Sequence, residues 1–195
     1  MHLSMNDDEL YSRYVAGDME AGDTLMLSYA DPLAAYLCSF IQNPQDAEDL
    51  MLECFTVILV DKPKIWEGCF RSFLYKIARH KACTLWKRIL KRNEFYISED
   101  TEFFLDQQEI PDERFVSPDE EVISGERNTL LYSCLNRIAP QYREALWLIY
   151  GMQFSYDESA KIMGCSRKRI DNMLMKGKKA LKKELEKEGI TYADI

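Results

Sequence analysis

Apolar residues recur every three or four positions through most of the chain, with polar and charged residues between them, the pattern of amphipathic helices. Residues 7–16 form the first predicted helix and residues 19–41 the second, with an interruption expected at Asp31-Pro32. Asn43-Pro44-Gln45-Asp46 opens a third. Asn43 suits the N-cap, Pro44 the first helical position, and Asp46 sets negative charge against the amides of the first turn. Its inward face is Ala47, Leu50, Met51, Cys54, Phe55, Ile58 and Leu59, and Pro63 ends the pattern. A fourth helix is expected over residues 68–92. Phe70, Phe73, Leu74, Ile77, Ala78, Leu85 and Ile89 face inward, and Arg71, Lys76, Arg79, Lys81, Lys87, Arg88, Lys91 and Arg92 crowd the rest.

The periodicity then breaks. Residues 96–125 carry Pro111, Pro118 and a high density of acids, the composition of an extended, self-repelling linker, although Phe103, Phe104, Leu105 and Phe115 give it some docking capacity. Helical spacing resumes over residues 124–138, with Leu130, Leu131, Cys134, Leu135 and Ile138 inward. Pro140 starts the next helix, which runs to about Gly151. Ser155-Tyr156-Asp157-Glu158 is a capping box that opens a helix stopping at Gly164, and Ser166 caps a last helix reaching about Glu188. The chain is therefore expected to be all-α. Two small helical domains, residues 1–95 and 126–195, are joined by an acidic linker, residues 96–125.

The chain has 195 residues, 47% hydrophobic and 30% charged, which is globular rather than disordered composition. Its net charge of −8 argues against nucleic acid only if the charge is evenly spread. It is not. Residues 1–60 carry −10, residues 61–97 carry +7, residues 98–128 carry −9 and residues 129–195 carry +4. Alternating acidic and basic blocks indicate separate surfaces for different partners. Residues 1–10 show no basic region followed by an apolar core, and no uninterrupted apolar run suits a membrane span. Six scattered cysteines and two histidines make neither a zinc site nor a disulfide framework. A cytoplasmic protein without membrane insertion, metal or cofactor is expected.

Residues 155–180 have the layout of a helix-turn-helix. Ala160 is small where two helices approach closely, Gly164 allows a left-handed turn, and Ile170 anchors the second helix. Such a unit places the start of its second helix in the major groove, and that start reads Ser166-Arg167-Lys168-Arg169, followed by Asn172. Arg and Lys reach guanine edges or phosphate, and Asn reads adenine. A small helix pair with a solvated basic face is the simpler alternative.

At these residues the chain resembles the extracytoplasmic-function group of bacterial RNA polymerase sigma factors, in the sigma-70 family. The similar stretches are Asp46-Ala47-Glu48-Asp49-Leu50 with Glu53 and Phe55, the run from Phe70 to Arg79, and Leu135-Asn136-Arg137-Ile138-Ala139-Pro140 with Ser155-Tyr156-Asp157-Glu158. They keep the family's order over about residues 8–188. The resemblance implies a non-catalytic initiation factor that binds core RNA polymerase and promoter DNA and commonly has an anti-sigma factor as partner. It implies that Asp46, Asp49 and Glu53 contact polymerase. Trp66, Arg71, Lys76, Arg79, His80, Lys87 and Arg88 would serve the −10 element. Ser166, Arg167, Lys168, Arg169, Asn172 and Lys176 would serve the −35 element.

The chemistry agrees with these roles. Carboxylates only accept hydrogen bonds, so an exposed row of them suits a donor-rich partner, although such faces are usually just solvated. Strand opening needs cations for phosphates and aromatic surfaces for unstacked bases. Trp66, Tyr75 and Trp86 lie in or beside the basic helix, and Trp66, near Gly68, is the best placed to stack. The alternative binding function is a stand-alone helix-turn-helix regulator, which commonly dimerises. A two-metal nuclease built on Asp46, Glu48, Asp49 and Glu53 lacks converging ligands from a second element. Four positions depart from the family pattern: Leu52 replaces a glutamine, His80 an asparagine, and Asp171 and Met173 stand where Lys and Arg are frequent.

Overall fold

The computed structural model describes residues 6–92 and 126–189, and every element among them is helical. The expected linker lies outside the described residues. In chain order the helices are α1 (Asp7–Val15), α2 (Met19–Ile41), α3 (Pro44–Leu59), α4 (Phe70–Arg92), α5 (Glu126–Asn136), α6 (Pro140–Leu146), α7 (Tyr156–Met163) and α8 (Arg167–Lys187). A π-helical turn, Trp147–Gly151, extends α6. The chain divides into two compact units, Met1–Leu85 and Trp86–Ile195.

In the first unit the helix starts follow local chemistry. Asn6 caps α1, which has three acids in its first turn. Asp18 caps α2 through the Ala21 amide (3.3 Å) while accepting from Arg13 Nε (2.9 Å), and the Arg13 contact pulls its carboxyl below the usual range. Asn43 accepts from Gln45 (3.0 Å) and Asp46 (3.4 Å), with Pro44 opening α3. The core closes around Leu33, Tyr36, Leu37, Cys54, Leu74 and Ala78, with the Tyr36 and Tyr75 rings edge-on at 5.2 Å.

α2 runs unbroken through Pro32, contrary to the interruption expected there. A proline inside a helix costs about 3 kcal/mol. Leu25 and Tyr29 before it and Leu33, Tyr36 and Leu37 after it are all buried, and each burial contributes about 1.5–3 kcal/mol. Anchoring on both sides outweighs one lost amide bond. Contrary to the expectation that no run suits a membrane span, the uninterrupted helix is long and apolar enough to cross a membrane by length and composition. Here its apolar side forms the core of the unit, while Glu20, Asp23 and Asp31 face solvent.

The second unit packs α5, α6 and α7 against the long α8. Cys134, Ala145, Leu148 and Ile170 are fully buried at its centre. α8 passes close to α6 at Gly177, where an added Cβ would lie 3.1 Å from Tyr142 Cβ and 3.2 Å from Leu146 Cδ1. Arg143 and Glu144 are both buried, and Arg143 donates to the Asn136 carbonyl (3.2 Å), which ties the end of α5 to α6. Leu131 was expected inside but is exposed. The inward strip of α5 is led by Cys134, with Ile138 one turn on, and Leu131 sits three residues back on its flank.

Gly22 lets α2 pass close to Tyr14 of α1. An added Cβ would lie 2.5 Å from the Tyr14 ring, which cannot swing away because its hydroxyl donates to the Leu59 carbonyl (2.7 Å). Gly22→Ala should therefore destabilise the protein by about 1–2 kcal/mol despite the better helix propensity of alanine. Urea denaturation measures this, and a stabilised variant would contradict the packing.

Candidate nucleic-acid interface and acidic helix face

The helix-turn-helix is built by α7 and α8. Ser155 Oγ accepts from the Glu158 amide (3.2 Å) while Glu158 Oε2 accepts from the Ser155 amide (2.9 Å), which completes the capping box. α7 ends at Gly164, whose φ of +65° is the left-handed conformation that glycine adopts without strain. Ser166 then caps α8 through the Arg169 amide (3.3 Å). Ile170, Met173 and Leu174 on α8, and Ile162 and Met163 on α7, are buried. Ala160 is joined at the crossing by Ser159, which is fully buried and was not singled out in the sequence.

This scaffold leaves Arg167, Lys168, Asn172 and Lys176 exposed and Arg169 half-buried. Arg167 is not loose. Its Nη1 donates to Asp157 Oδ2 (3.3 Å), and its guanidinium lies 5.8 Å from the Tyr156 ring centre, so the first turn of α7 aims the tip of α8. Both partners of that pair are exposed, so it adds only about 0–1 kcal/mol of stability. The pairing joins residues ten apart across a turn and has no sequence signal. Met173 faces the core, so its departure from the family pattern lies off the exposed face of α8, whereas Asp171 is exposed.

In the first unit, α1 holds the loop between α3 and α4. Tyr14 donates to the Leu59 carbonyl (2.7 Å), Tyr11 donates to the Pro63 carbonyl (2.6 Å), and Asp8 accepts from the Phe70 amide (3.2 Å). The last bond puts a carboxylate at the start of α4, where the helix dipole favours it. Phe70 wedges against Tyr11 (ring centres 5.3 Å) and Tyr29 (5.7 Å), and Tyr29 donates to Asp7. Burial and the Asp7 contact push the Tyr29 hydroxyl well above its ordinary pKa. On the loop so fixed, Trp66 is 76% exposed, with Lys64 Nζ 5.7 Å from its ring centre.

The seven residues assigned to the −10 side divide. Lys76, His80 and Lys87 share one exposed strip of α4, Arg88 is exposed beside it, and Arg71 is half-buried. Arg79 is only 9% exposed, contrary to the expectation of an open cationic face. It lies four residues from both Tyr75 and Cys83, which are buried, so the same strip of α4 takes it inward. Tyr75 and Trp86 are likewise buried and unavailable for stacking.

On α3, Asp49 and Glu53 are exposed and Asp46 is half-buried. Lys81 of α4 donates to Glu53 Oε2 (2.8 Å), a partner 28 residues away that the sequence pattern hid. Leu52 stands 54% exposed beside this row. No cluster of metal-binding side chains occurs among the described residues. All six cysteines are free, and burial pushes the Cys54 thiol up to about 12 and raises Cys38 and Cys134.

The family model of sigma-70 region 4 matches residues 129–181, the part of the chain that holds the helix-turn-helix. The RNA polymerase sigma-H factor of Pseudomonas aeruginosa is 24% identical over 183 residues, covering 92% of this chain and 94% of that protein. The chain is thus similar to sigma factors along nearly its whole length, and its matched segment is a sigma-70 region 4. The ECF RNA polymerase sigma-E factor of Haemophilus influenzae is 22% identical over 95% of this chain and 98% of its own, and the SigX factor of Bacillus subtilis is 24% identical over 82% and 80%. Two solved structures share the fold. The sigma factor RpoE of Bartonella quintana, in complex with the anti-sigma factor NepR, has a TM-score of 0.63 at 20% identity, covering 84% of this chain and 96% of that one. CnrH, in complex with the cytosolic domain of CnrY, has a TM-score of 0.62 at 19% identity, covering 92% and 97%.

Scaffold and tip of this helix-turn-helix should separate experimentally. Ile170→Ala should cost about 2–5 kcal/mol by thermal or chemical melting. Arg167→Ala should change stability by under about 1 kcal/mol. Equal losses would mean that Arg167 is structural.

Proposed function

We propose that the chain is an initiation factor that joins core RNA polymerase in the cytoplasm, directs it to particular promoters and opens them by binding energy, with no catalysis of its own. The single observation that carries this reading is the pairing, in one chain of the sigma-70 family, of a capped helix-turn-helix with a basic tip and an acidic helix face. Neither surface needs a metal or a nucleophile. Asp46, Asp49 and Glu53 on α3 meet the basic clamp of polymerase. Glu53 arrives pre-oriented by Lys81, so the contact exchanges one ion pair for another rather than ordering a free carboxylate.

Trp66 stacks on an unpaired base of the −10 element, on a loop whose position is set by Tyr11, Tyr14 and Asp8. Lys76, His80 and Lys87 follow the phosphates of the same strand. Ser166, Arg167, Lys168, Asn172 and Lys176 form the −35 contact, in which Arg167 and Asn172 read bases and Lys168 and Lys176 take phosphates. The two structurally similar proteins were each solved with a bound partner, one of them a sigma factor with an anti-sigma factor, and a partner that covers these surfaces is proposed here too.

Asp49→Lys with Glu53→Lys tests the reading. Run-off transcription with core polymerase should be lost by at least about 100-fold, equivalent to about 2.7 kcal/mol, while circular dichroism shows the helices intact. Unchanged transcription from the folded variant would overturn the assignment of the α3 face. Trp66→Ala should impair formation of the open complex, read by permanganate footprinting, more than binding of closed duplex. Equal effects on both would remove the stacking role.

A further inference from the structure

α8 is longer than a recognition helix needs to be. Its 21 residues span about 31 Å at 1.5 Å per residue, whereas the major groove is about 12 Å wide. Beyond the tip, exposed residues repeat at Lys168, Asn172, Lys176, Lys179 and Lys183, spacings of four, four, three and four that place them on one side of the helix. Between Lys168 and Lys183 the one acid of α8 is Asp171, which lies about 60° around the helix from Lys168 but about 80° from Lys179 and about 120° from Lys183.

The lysines off this row have partners in the protein. Lys178 lies 4.9 Å from the Tyr150 ring centre, Lys182 pairs with Glu186 (3.8 Å) and Lys187 with Glu184 (2.6 Å). Lys168, Lys176, Lys179 and Lys183 make no ion pair among the described residues. The far half of α8 is also anchored to the domain. Leu185 is buried, and Arg137, just after α5, pairs with Glu188 at the end of α8. A solvated helix face does not need this anchoring, whereas a rigid row of charges does.

We propose that Lys179 and Lys183 extend the DNA contact of the recognition tip by binding the phosphodiester backbone that borders the groove. Lys183 lies about 22 Å along the helix from Lys168, so with the tip among base edges these side chains are past the groove wall, where only phosphates are in reach. They add affinity without reading sequence. The proposal rests on the assignment of the helix-turn-helix to the −35 element.

The test uses the full chain and a labelled 30-base-pair duplex taken from the −35 side of a promoter that it initiates from with core polymerase, alongside a duplex with the −35 bases scrambled. Binding is followed by anisotropy from 50 to 200 mM salt. Each phosphate contact contributes about 0.9 to the slope of log affinity against log salt, so Lys179→Gln with Lys183→Gln should reduce the slope by about 1.8. The penalty should then be about 12-fold greater at 50 mM than at 200 mM salt, and the same on both duplexes.

An unchanged slope overturns the proposal. So does an unchanged slope with weakened assembly onto core polymerase, which would assign the row to an acidic protein surface. Arg167→Ala with Asn172→Ala separates the underlying assignment. That variant should lose discrimination between the duplexes, and if discrimination survives, the −35 reading fails whatever the lysine variant does to the slope.

Discussion

The first unit depends on how α1 clamps the ends of one loop. Asp8, Tyr11 and Tyr14 lie along one side of α1 and bind, in turn, the start of α4, the middle of the α3–α4 connection and the end of α3. Each bond is worth only about 1 kcal/mol, more for the charged one. Together they tie the connection between α3 and α4 to α1 at three points. Phe70 supplies the apolar part of the clamp between Tyr11 and Tyr29, and Gly22 lets α1 come close enough for Tyr14 to reach. An exposed tryptophan costs little to stack on a base only if its loop is already ordered, and α1 does that ordering.

The same design recurs at the helix-turn-helix, where polar tips stand on a rigid apolar seam. Ile170 and the left-handed Gly164 set the angle of α8, the capping box sets the start of α7, and Asp157 with Tyr156 steers Arg167. The interaction that stabilises least, an exposed ion pair, is the one that directs the side chain proposed to read DNA. The fold and the proposed recognition surface therefore rest on different side chains.

What could be read from the sequence was what local chemistry decides. Asn43, Ser155, Ser166 and Gly164 act through their own neighbours, and all four cap or turn as their residue types dictate. What could not be read was set by distant residues. Pro32 looked like a break because the burial on both sides of it is tertiary. Arg79 looked exposed because helical spacing gives a face, not which neighbour covers it. Lys81 and Glu53 meet across two helices, and Met173 belongs to the core although its family position suggests a DNA contact.

The net charge, taken whole, conceals this division of labour, because acids gather on the first helices and bases on α4 and α8. The central claim is that these faces work only with polymerase, the carboxylates docking the enzyme and the cations holding DNA. Transcription of genomic fragments by core polymerase, with and without the purified chain, tests it most directly. Start sites that appear only with the chain and share two elements, near −35 and −10, would be the expected result. Unchanged initiation, together with tight specific binding of the same fragments by the chain alone as a dimer, would identify a stand-alone regulator and contradict the claim.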